Sequence, residues 1–174
     1  MKELVRFPTG GQGIRVGGSE LLLVFLDEAI RLGPKRLHVL APYVDDAAFD
    51  DDAFRHSWDR LLRAVDATIV VRTTTAAEAI LRSLARRRST CDLRINPRLH
   101  GKVFVAHRAG AEVAMAGSHN LTGAALHTNQ EIGILIKPGG ASDLRDTVRH
   151  LLEATEAVAR QSPRYFRPEV AARR

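Results

Sequence analysis

The chain has 174 residues, 45% of them apolar, with a formal net charge of +6 and a sequence pI near 10.2. That length holds one well-buried domain and is short for two, and no segment has the uninterrupted apolar length of a membrane span. The positive charge is almost all arginine, since only Lys2, Lys35, Lys102 and Lys137 are lysines, and it favours a polyanionic partner without deciding the matter.

Residues 1–18 are glycine-rich, with Thr9-Gly10-Gly11-Gln12-Gly13 and Gly17-Gly18, but lack the Gly-Lys-Ser/Thr ending of a phosphate-binding loop. They read as a flexible lead-in or a short edge strand around Gly13–Val16. The first residues lack the apolar stretch and cleavage site of a secretory signal, which gives a cytoplasmic expectation. Ser19 is placed to cap a helix over Glu20–Leu32, stopped by Gly33-Pro34. Arg36–Val44 reads as a buried strand. The acidic stretch Asp45-Asp46 and Asp50-Asp51-Asp52 leads into a helix with Phe54, Trp58, Leu61, Leu62 and Val65 on one face. Carboxylates before a helix read first as caps, with a metal site the minority option. Trp58 falls among core positions rather than on a stacking surface.

Ala67–Arg72 reads as a β-branched strand, and Thr75-Ala76-Ala77-Glu78 as a capping box opening a helix to about Arg87. That helix ends in Arg86-Arg87-Arg88, which with Arg82 is either a solvated helix end or a track for phosphates. Cys91 is the single cysteine, so it forms no internal disulfide and reads as core filler. Strands follow at Cys91–Ile95, Leu99–Ala106 and Glu112–Gly117, then a loop or short helix over His119–Leu126 and a strand over Asn129–Lys137. Pro138-Gly139-Gly140 turns the chain into a last helix with Leu144, Val148, Leu151, Leu152 and Val158 at helical spacing. Residues 163–174 form an Arg-rich tail, expected to be loosely held. Strands alternating with helices predict a single α/β domain over residues 19–162, a mixed β-sheet flanked by helices.

The chemistry concentrates late in the chain. His100 and Lys102 would share one face of an extended strand, and Asn129 and Glu131 another, while Gly117-Ser118-His119-Asn120 closes the strand between them. A glycine there lets backbone approach a ligand. A neutral imidazole can attack phosphorus and form a phosphohistidine. A carboxylate such as Glu131 can fix the tautomer and orientation of that ring. Lys102, Ser118 and Asn120 can hold the non-bridging oxygens of the phosphoryl group. The leaving alkoxide needs a proton, and one imidazole cannot be nucleophile and acid in one step, so a second histidine is required. A metal site built from His100, His107, His119 and His127 matches no recognised ligand spacing, and the mechanism calls for no metal or other cofactor. His119 and His127 receive no role.

His100-x-Lys102, Gly117-Ser118-x-Asn120 and Asn129-x-Glu131, in that order, resemble the signature of the phospholipase D superfamily, especially its small one-motif nucleases. Arg36–Val44, with Ala41-Pro42-Tyr43, is similar to the superfamily's early strand more loosely. The resemblance implies two such motifs face to face, one histidine as nucleophile and one as general acid. No other histidine here has a lysine two residues later. A two-fold homodimer is therefore implied, with pairing to a different subunit bearing the motif as the alternative. One departure is His107, which stands where the family usually has Asp; by strand parity it faces away from His100 and Lys102. The leading expectation is a metal-independent nuclease. A phospholipase D-type lipid hydrolase or transferase ranks below it, because no basic amphipathic helix offers a membrane docking surface. A non-catalytic nucleic-acid-binding subunit is the third reading.

Overall fold

The computed structural model describes residues 13–84, 91–139 and 142–166. Its strands are β1 (Gly13–Gly17), β2 (Arg36–Leu40), β3 (Asp66–Val71), β4 (Cys91–Ile95), β5 (Val103–Arg108), β6 (Ala111–Gly117), β7 (Gly133–Lys137) and β8 (Arg164–Phe166). They form one eight-stranded sheet in the order β1-β7-β6-β5-β2-β3-β4-β8. Pairing is parallel across β2-β3-β4 and antiparallel elsewhere, so the sheet is mixed.

Side chains alternate between the two faces of this sheet, and helices cover both. Leu37, Val39, Ile69, Val71, Leu93, Phe104, Met115 and Leu135 point to the main core, where α1 (Leu21–Leu32), α3 (Asp52–Leu62) and α4 (Thr74–Leu84) bury their apolar sides. Trp58 is fully buried there, stacked on Phe54 with ring centroids 5.8 Å apart. On the opposite face α6 (Ser142–Gln161) crosses the strands, with Val148 over Val105, Ala114 and Ile136, and Ala159 over Leu40 and Val70. Arg94 of β4 holds the far end of α6 by donating Nη1 to Ala159 O at 2.7 Å and to Ser162 O at 3.0 Å. The carbonyls of a helix C-terminus lack intrahelical partners, and a guanidinium satisfies them. Cys91 is buried, and burial first, with Asp92 beside it, pushes its thiol up to about 12.

The acidic stretch serves as caps. The Asp45 carboxylate accepts from Ala48 N at 3.1 Å at the start of α2 (Asp46–Asp50), and Asp51 from Phe54 N at 2.7 Å at the start of α3. Gly33 ends α1 at φ 61°, the left-handed conformation its position requires. Other boundaries move for local reasons. Glu20, not Ser19, is the N-cap of α1; the Ser19 hydroxyl donates instead to Asn129 O at 3.0 Å. Thr73, not Thr75, caps α4, its Oγ1 accepting from Ala76 N at 3.1 Å. The strand expected to reach Val44 stops at Leu40, because Pro42 has no N–H to give a ladder and Val44 makes only a bridge to Leu121. Arg164–Phe166, expected to be loose, is the outer strand β8 against β4. At the other edge β1 pairs with β7. Among the described residues no helix is long and apolar enough to cross a membrane.

Candidate active site

The registers bring one set of loops to one end of the sheet. Leu40 pairs with Val103, Val103 with Ala116, and Gly117 with Gly133, which in turn pairs with Gly17. The segments after β2 and β6 and those before β5 and β7 therefore emerge side by side. They carry Tyr43, then Ser118 and Asn120, then His100 and Lys102, then Asn129 and Glu131.

None of the four expected strand residues lies on a strand. His100 and Lys102 precede β5, because an Asn96-Pro97 turn intervenes: Asn96 Oδ1 accepts from Arg98 N at 3.0 Å and Asn96 O from Leu99 N at 2.9 Å. Lys102 Nζ folds back to donate to His100 O at 3.1 Å, and Lys102 O accepts from Gly117 N at 3.2 Å. The imidazole is exposed and the lysine half-buried. Asn129 and Glu131 precede β7, because Asn129 N is drawn to Ala124 O at 2.8 Å at the end of α5 (Gly123–His127).

Glu131 is braced from two sides. Ser118 donates its hydroxyl to Oε2, and Asn129 Nδ2 donates to Oε1 at 3.1 Å. Ser118 Oγ in turn accepts from Ile132 N at 3.1 Å. The hydroxyl proton expected for a phosphate oxygen is thus committed to the carboxylate. Each carboxylate oxygen still has a lone pair for a further donor. Among the described residues no hydrogen bond joins Glu131 to the His100 ring. Asn120 is oriented by its partner: Oδ1 accepts from Tyr43 N at 3.3 Å, which fixes Nδ2 as the remaining donor of that amide.

Gly117 is glycine for a reason different from the one expected. A Cβ there would lie 2.5 Å from Ile132 O and 2.6 Å from Gly133 Cα, so the approaching backbone is the chain's own entry into β7. Buried His119, which sequence reasoning left idle, ties this arrangement to the residue that follows β1, its Nε2 lying 2.8 Å from Gly18 O. Its place between Ser118 and Asn120 is the only signal of that task. Asp45, read as a cap, has a second one: its Oδ1 also accepts from Gly123 N at 2.9 Å, tying the Asn120 loop to α2.

The remaining candidates lie elsewhere. His107 sits five residues beyond Lys102, about 17 Å along the strand direction, and stacks on His38 beneath α6 with centroids 5.5 Å apart. Arg82 is paired with Asp46 at 2.7 Å. His127 lies 3.2 Å from Asp51. Arg86, Arg87 and Arg88 lie outside the described residues. Among the described residues no group of three or more His, Cys, Asp or Glu side chains is placed to hold a metal ion.

No family model matches the chain, and no curated protein matches it in sequence. Solved structures do. Nuc from Salmonella typhimurium, a phospholipase D family member, is 21% identical with a TM-score of 0.60, over 87% of this chain and 97% of that one. NucT from Helicobacter pylori is 11% identical with a TM-score of 0.56, over 87% and 98%. TrmBL2, an archaeal chromatin protein with a novel mode of DNA binding, is 13% identical with a TM-score of 0.57, over 91% of this chain and 56% of that one. At such identities the likeness is one of fold.

Proposed function

The chain has the phospholipase D superfamily fold, and on that premise we propose that it is a phosphodiesterase, a metal-independent nuclease hydrolysing DNA or RNA through a phosphohistidine, with a second copy completing the site. The observation that carries this reading is the emergence, at one end of the sheet, of the loops bearing His100-Lys102, Ser118-Asn120 and Asn129-Glu131.

In the first step the neutral His100 ring attacks phosphorus, a P–N bond forms and the P–O bond to the leaving strand breaks. His100 of the partner subunit, protonated, gives that alkoxide its proton. The same ring, now neutral, takes a proton from water as the water oxygen attacks phosphorus. The P–N bond then breaks and both imidazoles return to their starting states. Lys102, with donors left after its bond to His100 O, and Asn120, through Nδ2, stabilise the charge on the non-bridging oxygens. Glu131, held by Ser118 and Asn129, offers its remaining lone pairs to an imidazole N–H and so sets the tautomer.

A second copy also has a surface to meet. Ile14, Val16 and Ile134 are 54%, 64% and 38% exposed at the β1-β7 edge, and Ile132, beside Glu131, is 68% exposed. Val16 and Ile134 are register partners on the sheet face that α6 leaves open at this edge. A dimer that covers this patch removes apolar area from water, which an isolated subunit leaves exposed.

The test is incubation of labelled single- and double-stranded DNA, RNA and phosphatidylcholine vesicles in EDTA, wild type beside His100→Ala. Cleavage of nucleic acid in EDTA, lost in the variant, with an acid-labile phosphoenzyme trapped at early times, is the expected result. Activity that EDTA abolishes and His100→Ala retains overturns the mechanism. Turnover of the vesicles alone moves the assignment to lipid. The fold shared with the DNA-binding TrmBL2 supports a second reading, a binding subunit without chemistry; it predicts salt-sensitive DNA binding and no cleavage in any of these mixtures.

A further inference from the structure

Tyr43 stands at the same end of the sheet as the candidate site and is 44% exposed, unlike the buried Phe25, Phe54, Trp58 and Phe104. It is not a loose surface ring. Its backbone N donates to Asn120 Oδ1 at 3.3 Å and its carbonyl accepts from Leu121 N at 3.1 Å. Its hydroxyl accepts from Arg72 Nη1 at 2.8 Å, and the Arg72 guanidinium carbon lies 5.8 Å from the ring centroid. Arg72 Nε donates to Pro97 O at 3.2 Å, on the turn that leads into His100. The Tyr43 backbone is therefore tied to the Asn120 side chain, and its hydroxyl, through the Arg72 guanidinium, to the turn that leads into the loop of the proposed nucleophile. Hydrogen bonds thus connect Tyr43 to the segments that carry Asn120 and His100.

From this we propose that Tyr43 is a base-stacking platform and that the site takes a single strand of nucleic acid, with an unpaired base laid on the ring beside the scissile phosphate. The inference rests on the nuclease reading and specifies its substrate. An exposed ring already hydrogen-bonded at its backbone and its hydroxyl has less freedom to lose when a base lands on it, and a neighbouring guanidinium adds attraction for the adjoining phosphate. Stacking is indifferent to sequence, since every base has a π-face, so the platform confers strand selectivity without base preference. In a duplex those faces are already covered by neighbouring pairs, and only an unpaired or frayed strand can offer one.

The test separates this claim from the nuclease claim. Fluorescence anisotropy measures binding of labelled oligothymidylate, and of an abasic oligonucleotide of equal length, to the His100→Ala protein with Tyr43 intact, Tyr43→Ala or Tyr43→Phe. We expect Tyr43→Ala to weaken oligothymidylate binding by about tenfold or more, to leave abasic binding unchanged, and Tyr43→Phe to keep most of the affinity. Equal losses on both strands, no loss on either, no binding of either, or a loss that accompanies a fall in assembly mass each overturn the platform; the last makes Tyr43 an interface residue. Cleavage of the same oligothymidylate by wild type in EDTA reports separately on the nuclease reading. Binding that depends on Tyr43 and on the presence of bases, without cleavage, leaves the platform standing and removes the chemistry, whereas cleavage without such binding does the reverse.

Discussion

The hydroxyl of Ser118 donates to Glu131 across the step from β6 to β7, and Asn129 donates to the other oxygen of the same carboxylate. A carboxylate gripped on both oxygens cannot rotate, so its free lone pairs point where the fold sends them. Ser118→Ala removes one grip and also leaves Ile132 N without its acceptor. The loss of a hydrogen bond to a charged group, about 1.5–3 kcal/mol, translates into a turnover some 10–100-fold slower if the geometry matters in the transition state. Glu131→Gln should cost at least as much. Single-turnover cleavage measures both, and a Ser118→Ala protein with wild-type rates would deny Glu131 any orienting task.

A site shared by two chains makes a quantitative demand on mixtures. If both copies of His100 serve one phosphorus, a hybrid of wild type and His100→Ala is inactive. After subunit exchange, equal amounts of the two should then retain about one quarter of the activity rather than half. Activity linear in the wild-type fraction would mean that one chain carries a complete site. The apolar edge gives a second handle, since Ile134→Lys places a charge among Val16, Ile14 and Ile132. Sedimentation should show a lighter species with lost activity; an unchanged assembly would put the contact elsewhere.

Periodicity served well wherever an element is decided by burial on its own account. Cys91–Ile95 matches β4, and the Trp58 face packs as its spacing requires, because these patterns answer only to the core. It failed at His100, Lys102, Asn129 and Glu131, each placed on a strand and each found just ahead of one. Alternation is a property of hydrogen-bonded ladders. The Asn96-Pro97 turn takes Arg98 N and Leu99 N just ahead of His100, and the end of α5 takes Asn129 N, so each ladder starts later than the residue pattern suggests. The residue types were legible because the chemistry restricts them, whereas Tyr43 and Arg72 were not. Their pairing joins residues 29 positions apart, and nothing local in either segment announces it.

Gly117 tests how closely the fold and the site are coupled. Gly117→Ala would set a methyl 2.5 Å from Ile132 O, backbone that cannot swing aside. Strands β6 and β7 must separate locally, which carries Ser118 away from Glu131. Overpacking of this kind costs roughly 1–3 kcal/mol, so the variant should fold with a lower melting temperature and lose activity more than stability. Wild-type activity in a folded Gly117→Ala protein would show that the Ser118–Glu131 contact is dispensable.

His38 and His107 stack beneath α6 with their planes 18° apart, and both rings have buried nitrogens that make no hydrogen bond among the described residues, His38 Nε2 lying 3.9 Å from Glu156. Burial above all, then His107 and Arg36, outweighs the opposing pull of Glu156 and holds His38 at about 4. Burial first, then Arg36, lowers His107 as well, against Glu156 and Glu112. Both rings therefore take up a proton less readily in the folded protein than in the unfolded chain. Above pH 6.5 they are neutral in the unfolded chain too, and no penalty arises. As the pH falls from 6.5 towards 4, the unfolded chain binds protons that the folded protein refuses, so stability drops, and the His38 contribution levels off below its folded value. Over that window the His38 shift corresponds to roughly 3 kcal/mol. Urea unfolding at steps from pH 7.5 to 4.5 should show this slope, and His38→Phe, which keeps a ring against His107, should lose about one proton's share of it. An unchanged slope in His38→Phe would place the acid sensitivity in other groups.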